Sequence, residues 1–230
     1  MKNNINIFLP CRKGSKRIKN KNTKLFYKYK LGLFENKIKQ LLKIKNLNKI
    51  FVSTDDKKII DYCNSINSKK ITTIKRDKKL ADDEVSTDDL IKHVSQHIFE
   101  NHIMWTHVSS PFITTKKYNE IIKRYYKVIQ NGFDSLMTVS PIQTFLWNKK
   151  KPINYNRKIE KWPRTQTLKK IYEINSGVFL AHANIYKKQK DRVGKKIYLY
   201  ELDKLSGFDI DWPNDFQLAE QILFSKIVKI

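Results

Sequence analysis

The sequence predicts an α/β protein with a mostly parallel, mixed sheet flanked by helices. Short apolar runs rich in β-branched and aromatic residues alternate with segments whose apolar residues recur at helical spacing. Strands that alternate with helices of this length are typical of βαβ units, whose helices cover both faces of a parallel sheet. The 230 residues fit one domain of ordinary size, or one domain with an added arm, and 40% hydrophobic residues are ample for a core.

The alternation continues element by element through the first 140 residues. The opening run "INIFL" is a predicted strand, and "FENKIKQLLKIK" carries its apolar residues at helical spacing. The helix "KKYNEIIKRYYKVIQ" ends at Asn131 and Gly132, which are typical of helix C-termini. In chain order we predict strand 5–9, helix 34–45, strand 49–53, helix 56–66, strand 70–74, helix 86–100, strand 102–109, helix 116–130 and strand 133–140.

The alternation breaks between residues 144 and 171, a polar segment that contains Pro152 and Pro163. This segment is too long for a plain connection, so we interpret it as an excursion such as an arm or lid. The pattern resumes with a predicted strand at 173–181. It closes at 207–223 with a strand that enters a helix.

Charge and cysteine usage limit the classes of function. Lysine and arginine total 47 and aspartate and glutamate 22, so the formal net charge is +25. This charge favours a polyanionic partner, but the lysines form no single tract, and we attribute most of it to compositional bias. Two cysteines, Cys11 and Cys63, cannot form a disulfide framework, which favours a reducing cytosol. No signal peptide or long apolar run is present, so we expect a cytoplasmic protein without a membrane partner.

A basic segment follows the first strand directly. In parallel sheets, ligands bind beyond the carboxyl ends of the strands, which places "PCRKGSKRIKNKN" on the binding edge. Only six glycines occur in the chain, and Gly14 with Ser15 and Lys16 can form a turn whose N–H groups face an anion. The segment matches neither a Walker A loop nor a dinucleotide fingerprint. These residues alone leave open a phosphate-binding loop and a solvated basic turn.

The same segment resembles the signature of the acylneuraminate (CMP-sialic acid or nonulosonic acid) cytidylyltransferases. Further segments similar to this family follow in order along nearly the whole chain. The signature stands here as Pro10-Cys11-Arg12-Lys13-Gly14-Ser15-Lys16-Arg17-Ile18 and Lys21-Asn22, followed by "FVSTDD", "RDKKLADDEVST", "HVSSPF", "DSLMTVS", "RTQTLKKIYEINSGVF" and "FDIDWPNDFQLAE".

The resemblance implies a Rossmann-like nucleotidyltransferase fold in which residues 1–230 form a single domain. The excursion at about 144–171 would be a protruding arm for dimerisation, so a homodimer is implied. The implied reaction joins CMP from CTP to the anomeric hydroxyl of an acidic 2-keto sugar and releases pyrophosphate. Such chemistry needs positioning and charge neutralisation rather than a covalent intermediate. The negative charge of the CTP triphosphate would then explain why six lysine and arginine residues surround Gly14, namely Arg12, Lys13, Lys16, Arg17, Lys19 and Lys21.

Residue roles follow from the match to the family motifs. Arg12 and Lys21 would be catalytic, and Lys13, Arg17 and Lys19 are more consistent with a solvated face. His107 stands where many sialic acid enzymes have a glutamine. The CTP site would comprise Arg12, Gly14, Ser15, Lys16, Lys21 and Asn22, with Arg76, Ala81 and Ser86 around the cytosine; the sugar site would comprise His107, Ser109 and Ser110, with Arg164 and Gln166 supplied by the arm of a partner subunit.

Asp209 and Asp211 are the predicted metal ligands. They lie two apart on a predicted strand, so their carboxylates would share one face, an arrangement that suits Mg²⁺, which binds one or two carboxylates together with phosphate oxygens and water. The pair also matches the "D-I-D" metal motif of the resembled family, which makes both residues candidates for catalysis. Asp211 could instead cap the helix that begins near Pro213, whereas Asp215 is expected to act in the first turn of that helix.

Several alternatives remain at this stage. "STDD" is interpreted as a helix start with Ser53 or Asp55 as N-cap. His93 and His97 lie four apart on a helix, but no third metal ligand accompanies them, so surface or half-buried histidines are favoured.

The acceptor could be another acidic sugar, such as the eight-carbon ketodeoxy acid of lipopolysaccharide. From other classes, a basic RNA-binding domain lacks any supporting motif, so no nucleic acid partner is expected, and an inactive relative is disfavoured by Arg12, Lys21, Asp209 and Asp211.

Overall fold

The computed structural model describes residues 4–77, 80, 85–228 and 230. Its helices and strands alternate as predicted through the first 142 residues. The strands are β1 (Ile5–Pro10), β2 (Leu47–Thr54), β3 (Ile71–Lys75), β4 (His102–Thr106), β5 (Ser135–Ile142), β6 (Ile171–His182) and β7 (Ile197–Glu201). The helices of the described ranges are α1 (Gly32–Leu41), α2 (Lys57–Ile66), α3 (Thr87–His97), α4 (Thr115–Gln130), α5 (Ala183–Gln189) and α6 (Pro213–Phe224), and a 3-10 turn spans Thr165–Thr167.

Within the described ranges, seven strands form one sheet in the order β3-β2-β1-β4-β6-β5-β7. β1 lies near the centre and pairs in parallel with β2 and β4, and β2 pairs in parallel with β3. β6 runs antiparallel between β4 and β5, and β5 pairs in parallel with β7 at the other edge. The predicted mixed, mostly parallel sheet is therefore confirmed.

Alternating side chains of β1 supply the two halves of the core. Ile5, Ile7 and Leu9 are fully buried in the larger hydrophobic cluster, which includes residues of α1, α4 and α6. Phe8 points to the opposite face, where it packs edge-on against Trp105 of β4 and joins a second cluster with α3 and α5. Helices thus cover both faces, as the uniformly apolar strand requires.

Several elements differ from the prediction. α3 ends at His97 rather than at residue 100, and the structure contains α5 and β7, which the sequence pattern did not predict. The predicted strand at 207–211 is wrong, because these residues form turns and irregular backbone. The side chain of Asp203 binds the backbone and hydroxyl of Ser206, and Gly207 N–H donates to the Asp203 carbonyl, which closes a turn before the segment.

The excursion at 144–171 is irregular, as expected. Trp147 and Pro152 form an isolated bridge, and the Asn154 side chain ties the segment to the carbonyls of Thr144 and Lys169. Four large apolar side chains lie exposed on it: Trp147, Ile153, Ile159 and Trp162.

No helix in the described part of the chain is long and apolar enough to cross a membrane.

Candidate active site

The candidate site lies where four parallel strands end at the same edge of the sheet. Cys11 follows β1, Asp55 follows β2, Arg76 follows β3 and His107 follows β4. Parallel pairing brings these strand ends together, which is the position expected for ligands in such sheets. Two of the ends are joined directly, because Cys11 N–H donates to the Ser53 carbonyl at 2.8 Å.

The first element of the site is the basic loop, residues 11–22. Lys13 N–H donates to the Asp55 carboxylate at 2.6 Å, and the Ser15 hydroxyl accepts from Ile18 N–H at 3.4 Å. Gly14 has a φ of +84°, which glycine adopts at little cost. Asn22 donates from its amide to the Arg12 carbonyl at 3.0 Å, which closes the loop on itself. A shallow depression in this loop is lined by Gly14 and Ser15 together with Arg12, Asn20, Lys21, Asn22, Thr23 and Asp56.

A small cavity of about 220 Å³ adjoins this loop. The cavity brings together four residues predicted for CTP, namely Arg12, Lys21, Asn22 and Arg76, and two predicted for the sugar, His107 and Ser109. Of the other residues predicted for CTP, Lys16 is exposed on the loop, Ser86 is exposed and caps α3 through Asp89 N–H, and Ala81 lies outside the described residues.

Arg76 is buried and held by Ser53 at the end of β2. Its Nε donates to the Ser53 hydroxyl and its Nη2 to the Ser53 carbonyl, each at 3.2 Å. Ser53 therefore does not cap α2, and neither does Asp55, whose carboxylate binds the basic loop. The N-cap is Asp56, which accepts from Lys58 N–H at 3.0 Å. The sequence interpretation of "STDD" was correct about a cap but wrong about its residue.

His107 lies in the small cavity as a neutral imidazole. The Trp105 indole donates to His107 Nε2 at 3.0 Å, and an indole N–H cannot accept. Nε2 is therefore unprotonated, and the ring proton lies on Nδ1. Burial, aided by the positive charge of Arg192, lowers the pKa of His107 to about 3, so the ring stays neutral at physiological pH.

Asp209 and Asp211 lie beside Lys21, although not on a strand. Ile210 N–H, between them, donates to the Ser109 carbonyl at 2.9 Å, and Lys21 Nζ donates to the Ile210 carbonyl at 2.8 Å. These two bonds, rather than strand pairing, fix the segment between the basic loop and the end of β4.

The two carboxylates have different surroundings. Asp209 is largely buried; one side of it binds the Ser109 hydroxyl, and burial raises its pKa. Asp211 is half exposed, and its Oδ1 lies 2.8 Å from Arg17 Nη2 and 3.5 Å from Lys21 Nζ. Arg17 is exposed, as expected for a solvated face, but it also stacks on the Trp212 ring, 5.0 Å from its centroid.

One observation indicates that Asp209 and Asp211 are suited to a divalent cation. Asp209 Oδ1 is buried and has no hydrogen-bond partner among the described residues, and a hard cation satisfies such an oxygen well. The described residues contain no cluster of three or more side chains that could hold a metal ion. A cation bound by Asp209 and Asp211 would therefore need phosphate oxygens or water as additional ligands. Capping does not occupy Asp211, because α6 begins after Trp212 and Asp215 accepts from the N–H groups of Asp211 and Trp212.

A buried polar floor underlies the turn after β4; it comprises Asn36, Lys37, Gln40, Ser109, Ser110, Pro111 and Tyr118. Lys37 is fully buried and donates to the Ser110 carbonyl at 2.7 Å and to Tyr118 Oη at 2.8 Å. Asn36 and Gln40 donate to the Pro111 carbonyl at 3.2 and 3.0 Å. Burial lowers the pKa of Lys37 to about 7. Ser110, predicted to contact the sugar, is buried in this floor rather than open to a cavity.

A larger cleft of about 800 Å³ lies on the other side of Asp209 and Asp211. Sequence reasoning missed most of its walls, which come from β5, from β6 and from the segment before α6. The lining residues are Ser140, Pro141, Ile142, Gln143, Thr144, Glu173, Ile174, Asn175, Ser176, Lys204, Gly207, Phe208, Asp209, Asp211 and Trp212.

The two residues of segment 144–171 that were predicted for the sugar, Arg164 and Gln166, are not among the lining residues of this cleft. Arg164 directly precedes the 3-10 turn and Gln166 lies within it, and both are exposed; the Gln166 carbonyl accepts from Nε2 of Gln143, a lining residue of the cleft, at 2.9 Å. Within one chain, Arg164 and Gln166 therefore lie away from the junction of the cavities.

Solved nucleotidyltransferases share this architecture. The chain is similar to a CMP:2-keto-3-deoxy-manno-octonic acid synthetase complexed with CTP, with a TM-score of 0.68 and 13% identity over 97% of this chain and 99% of that one. It is also similar to the 4-diphosphocytidyl-2C-methyl-D-erythritol synthase of Anaerococcus prevotii, with a TM-score of 0.62 and 12% identity over 96% of each chain. These likenesses define the fold as the Rossmann-like fold of nucleotidyltransferases.

The sequence itself identifies the family. The cytidylyltransferase family model matches residues 7–229, so the chain belongs to the cytidylyltransferase family. It is 25% identical to N-acylneuraminate cytidylyltransferases of Escherichia coli, over 95% of this chain and 52% of that protein, and of Streptococcus agalactiae, over 90% and 50%. The chain thus spans about half the length of the curated relatives that it matches.

Proposed function

We propose that the protein transfers CMP from CTP to the anomeric hydroxyl of an acidic 2-keto sugar and releases pyrophosphate, in the biosynthesis of cell-surface glycans. The observation that carries this proposal is the junction of the two cavities. Arg12 and Lys21 border the small cavity, Asp209 and Asp211 border the large cleft, and Lys21 lies 3.5 Å from Asp211. A cationic pocket beside two carboxylates and a sugar-sized cleft suits a nucleoside triphosphate and its acceptor.

The residues of the small cavity would hold the nucleotide. Arg12 and Lys21 would neutralise the phosphates and favour departure of pyrophosphate, with Lys16 adding charge from the loop surface. The N–H groups around Gly14 and Ser15 would face a phosphate oxygen. Asn22 and Arg76 would contact the nucleoside. The reaction is then accelerated by alignment and charge neutralisation, without a covalent enzyme intermediate.

Mg²⁺ is the cation proposed for Asp209 and Asp211. When bound there, it would supply charge neutralisation for the triphosphate. Arg17 pairs with Asp211 in the free protein, so binding would require Asp211 to exchange this exposed pair for the cation. Exposed ion pairs are worth about 0–1 kcal/mol, so the exchange costs little.

The acceptor is proposed to be a sialic-acid-like nonulosonic acid, which is supported by the names of the curated relatives. A relative of known structure is named for a 2-keto-3-deoxy-octonic acid, which keeps the eight-carbon acid as a second candidate. A panel of candidate acids, each incubated with CTP and Mg²⁺, should give pyrophosphate release with one class above the others. Release with no acid, or release only when RNA is present, would contradict the proposal.

His107 is proposed to affect the choice of acceptor. Its Nδ1–H is a fixed donor, whereas a glutamine amide offers both a donor and an acceptor. The His107→Gln variant should therefore change the ranking of acids in the panel. An unchanged ranking with unchanged KM would remove His107 from the site.

The arm is proposed to form a homodimer. Ile159 is 85% exposed, and Arg157 lies between the rings of Trp147 and Trp162, which leaves an apolar and basic surface uncovered. In a dimer, Arg164 would reach the sugar carboxylate in the partner's cleft. Sedimentation should give a dimer, and a fully active monomer at nanomolar concentration would contradict this arrangement.

Residues 1–230 are proposed to act as one nucleotidyltransferase domain in the cytoplasm, without nucleic acid or membrane partners. CTP is a cytoplasmic metabolite, and the two free cysteines, Cys11 and Cys63, are both buried as thiols.

A further inference from the structure

Arg76 and His93 share one buried hydroxyl group. Arg76 Nε lies 3.2 Å from Ser53 Oγ, and His93 Nε2 lies 3.0 Å from the same atom. The three residues come from different elements: Ser53 from β2, Arg76 from the end of β3 and His93 from α3. Of these three residues, only Arg76 lines the small cavity, so Ser53 and His93 lie behind Arg76 as seen from the cavity.

The chemistry of the groups indicates the direction of the hydrogen bonds. A guanidinium can only donate, so Ser53 Oγ accepts from Arg76. The Ser53 hydroxyl hydrogen then needs an acceptor, and among the described residues the lone pair of His93 Nε2, in the tautomer with its proton on Nδ1, meets that need. The resulting chain runs from Arg76 N–H to Ser53 O–H to His93 Nε2, with the imidazole proton on Nδ1.

Burial makes this chain important for the position of Arg76. Ser53 is 0% exposed, Arg76 4% and His93 5%. In such surroundings, a polar group that loses its partner is not compensated by water. Burial also lowers the pKa of His93 to about 4, so Nε2 is available as an acceptor at neutral pH.

We propose that His93 is a positioning residue for nucleotide binding, which acts through the Ser53 hydroxyl to orient the Arg76 guanidinium towards the small cavity. This inference rests on the proposed function, because it takes CTP as the ligand of that cavity. It also gives a role to a histidine that sequence reasoning placed at the surface or half buried. His97, four residues further along α3, lies edge-on to His93 with the ring centroids 4.6 Å apart and is exposed, which makes it a matched control.

The test is the Kd for CTP, measured by calorimetry without any sugar. The His93→Leu variant should weaken CTP binding by about fivefold to a hundredfold, because the hydroxyl loses its acceptor. His93→Gln should restore binding to within about threefold of wild type, since an amide oxygen can replace Nε2 as the acceptor. His97→Leu should bind CTP as wild type does.

Kinetics supply a second readout once the acceptor sugar is identified. His93→Leu should raise the KM for CTP and leave kcat within about threefold, because Arg76 is proposed to bind the nucleotide and not to act on the reacting phosphorus. A loss confined to kcat would overturn the inference.

The outcomes separate this inference from the proposed function. Wild-type protein that binds no CTP overturns both. Wild-type protein that binds CTP overturns only the inference if His93→Leu binds equally well, if His93→Gln is as weak as His93→Leu, or if His97→Leu is weakened as much. Should His93→Leu fail to fold, Ser53→Ala removes the shared hydroxyl instead; unchanged CTP binding in Ser53→Ala would overturn the inference.

Discussion

The basic loop and the polar floor both contribute to the lining of the small cavity, but their lysines differ in exposure to solvent. The loop carries part of its positive charge in solvent: Arg17 and Lys16 are exposed, and the side chains of the Arg17–Asp211 pair are 43% and 44% exposed. The floor places its one cation, Lys37, at 0% exposure, with a carbonyl and a phenol oxygen as partners. Both regions contain lysines, but we expect these lysines to have different roles because Lys16 is exposed to solvent and Lys37 is buried.

The difference follows from solvation. Exposed ion pairs are screened and contribute about 0–1 kcal/mol, so a phosphate ligand can replace the exposed Arg17–Asp211 pair at little cost. Buried polar groups that lose a partner cost about 1–3 kcal/mol, so the contacts of the floor hold the turn at Ser110 in place. We therefore expect the loop to determine nucleotide affinity and the floor to determine the geometry of the site.

The largest effect is expected where the two regions meet, at Asp209. Asp209→Asn should lower kcat by about a hundredfold or more at saturating CTP, because the proposed Mg²⁺ loses a charged ligand. Pyrophosphate release measured across a Mg²⁺ titration would show it. Asp215→Asn is the control, since Asp215 stabilises the start of α6, and it should cost about 1 kcal/mol of unfolding free energy with little loss of kcat. Normal activity with unchanged Mg²⁺ dependence in Asp209→Asn would rule out the metal assignment.

Next in size is the effect of removing a cation of the loop that lines the small cavity. Lys21→Ala or Arg12→Ala should lower kcat/KM for CTP by about tenfold to a thousandfold, as expected for lost charge-assisted phosphate contacts. Lys19→Ala, which removes an exposed loop lysine outside that cavity, should change it by less than about twofold. Equal losses in Lys19→Ala and Lys21→Ala would mean that the loop acts only through its general charge.

A smaller effect is expected in the floor. Lys37→Met leaves the Ser110 carbonyl without its donor, so it should lower the unfolding free energy by about 1–3 kcal/mol and kcat by about tenfold. Urea unfolding and steady-state kinetics measure the two quantities.

Tyr118→Phe provides the comparison for Lys37→Met, since the Tyr118 hydroxyl binds Lys37 and Thr106 but not the turn. It should lower stability to a similar degree and leave kcat within about threefold of wild type. Equal kcat losses in both variants would show that the floor acts through stability alone.

The last prediction concerns the pH dependence of the unfolding free energy, an effect that is small at neutral pH and grows as the pH falls. Burial lowers the pKa of His93 and His102 to about 4 and that of His107 to about 3, whereas an unfolded histidine has a pKa of about 6.5. Between these values the unfolded chain binds protons that the native protein does not. The contribution of these histidines to stability should therefore be fully present above about pH 7 and decline as the pH falls towards 4, by at most about 1.4 kcal/mol per pH unit for each histidine.

Urea unfolding from pH 4.5 to 7.5 would measure this slope, and His102→Phe should reduce it by about one proton. A flat profile would contradict the buried, neutral state of these rings. Raising the salt concentration provides a control. Added salt should weaken CTP binding at the exposed loop and leave the slope of unfolding free energy against pH nearly unchanged.

Local patterns in the sequence determined much of the fold. The apolar run of β1, the helical spacing in α1 and the Asn131-Gly132 end of α4 each depend on neighbours a few residues away, so the order of elements could be predicted. The signature around Gly14 likewise placed Arg12, Lys21 and Asn22 in one loop, and the structure brings them to one cavity.

Contacts between distant residues were decided only by the tertiary structure. Arg17 meets Asp211 across 194 positions, and Lys37 meets the Ser110 carbonyl across 73. The strand predicted at 207–211 failed for the same reason: the segment is held by the Ser109 carbonyl and by Lys21, which no local pattern indicates. Whether a lysine faces solvent or lies in the floor depends on which elements pack over it, and that packing exists only after the chain has folded.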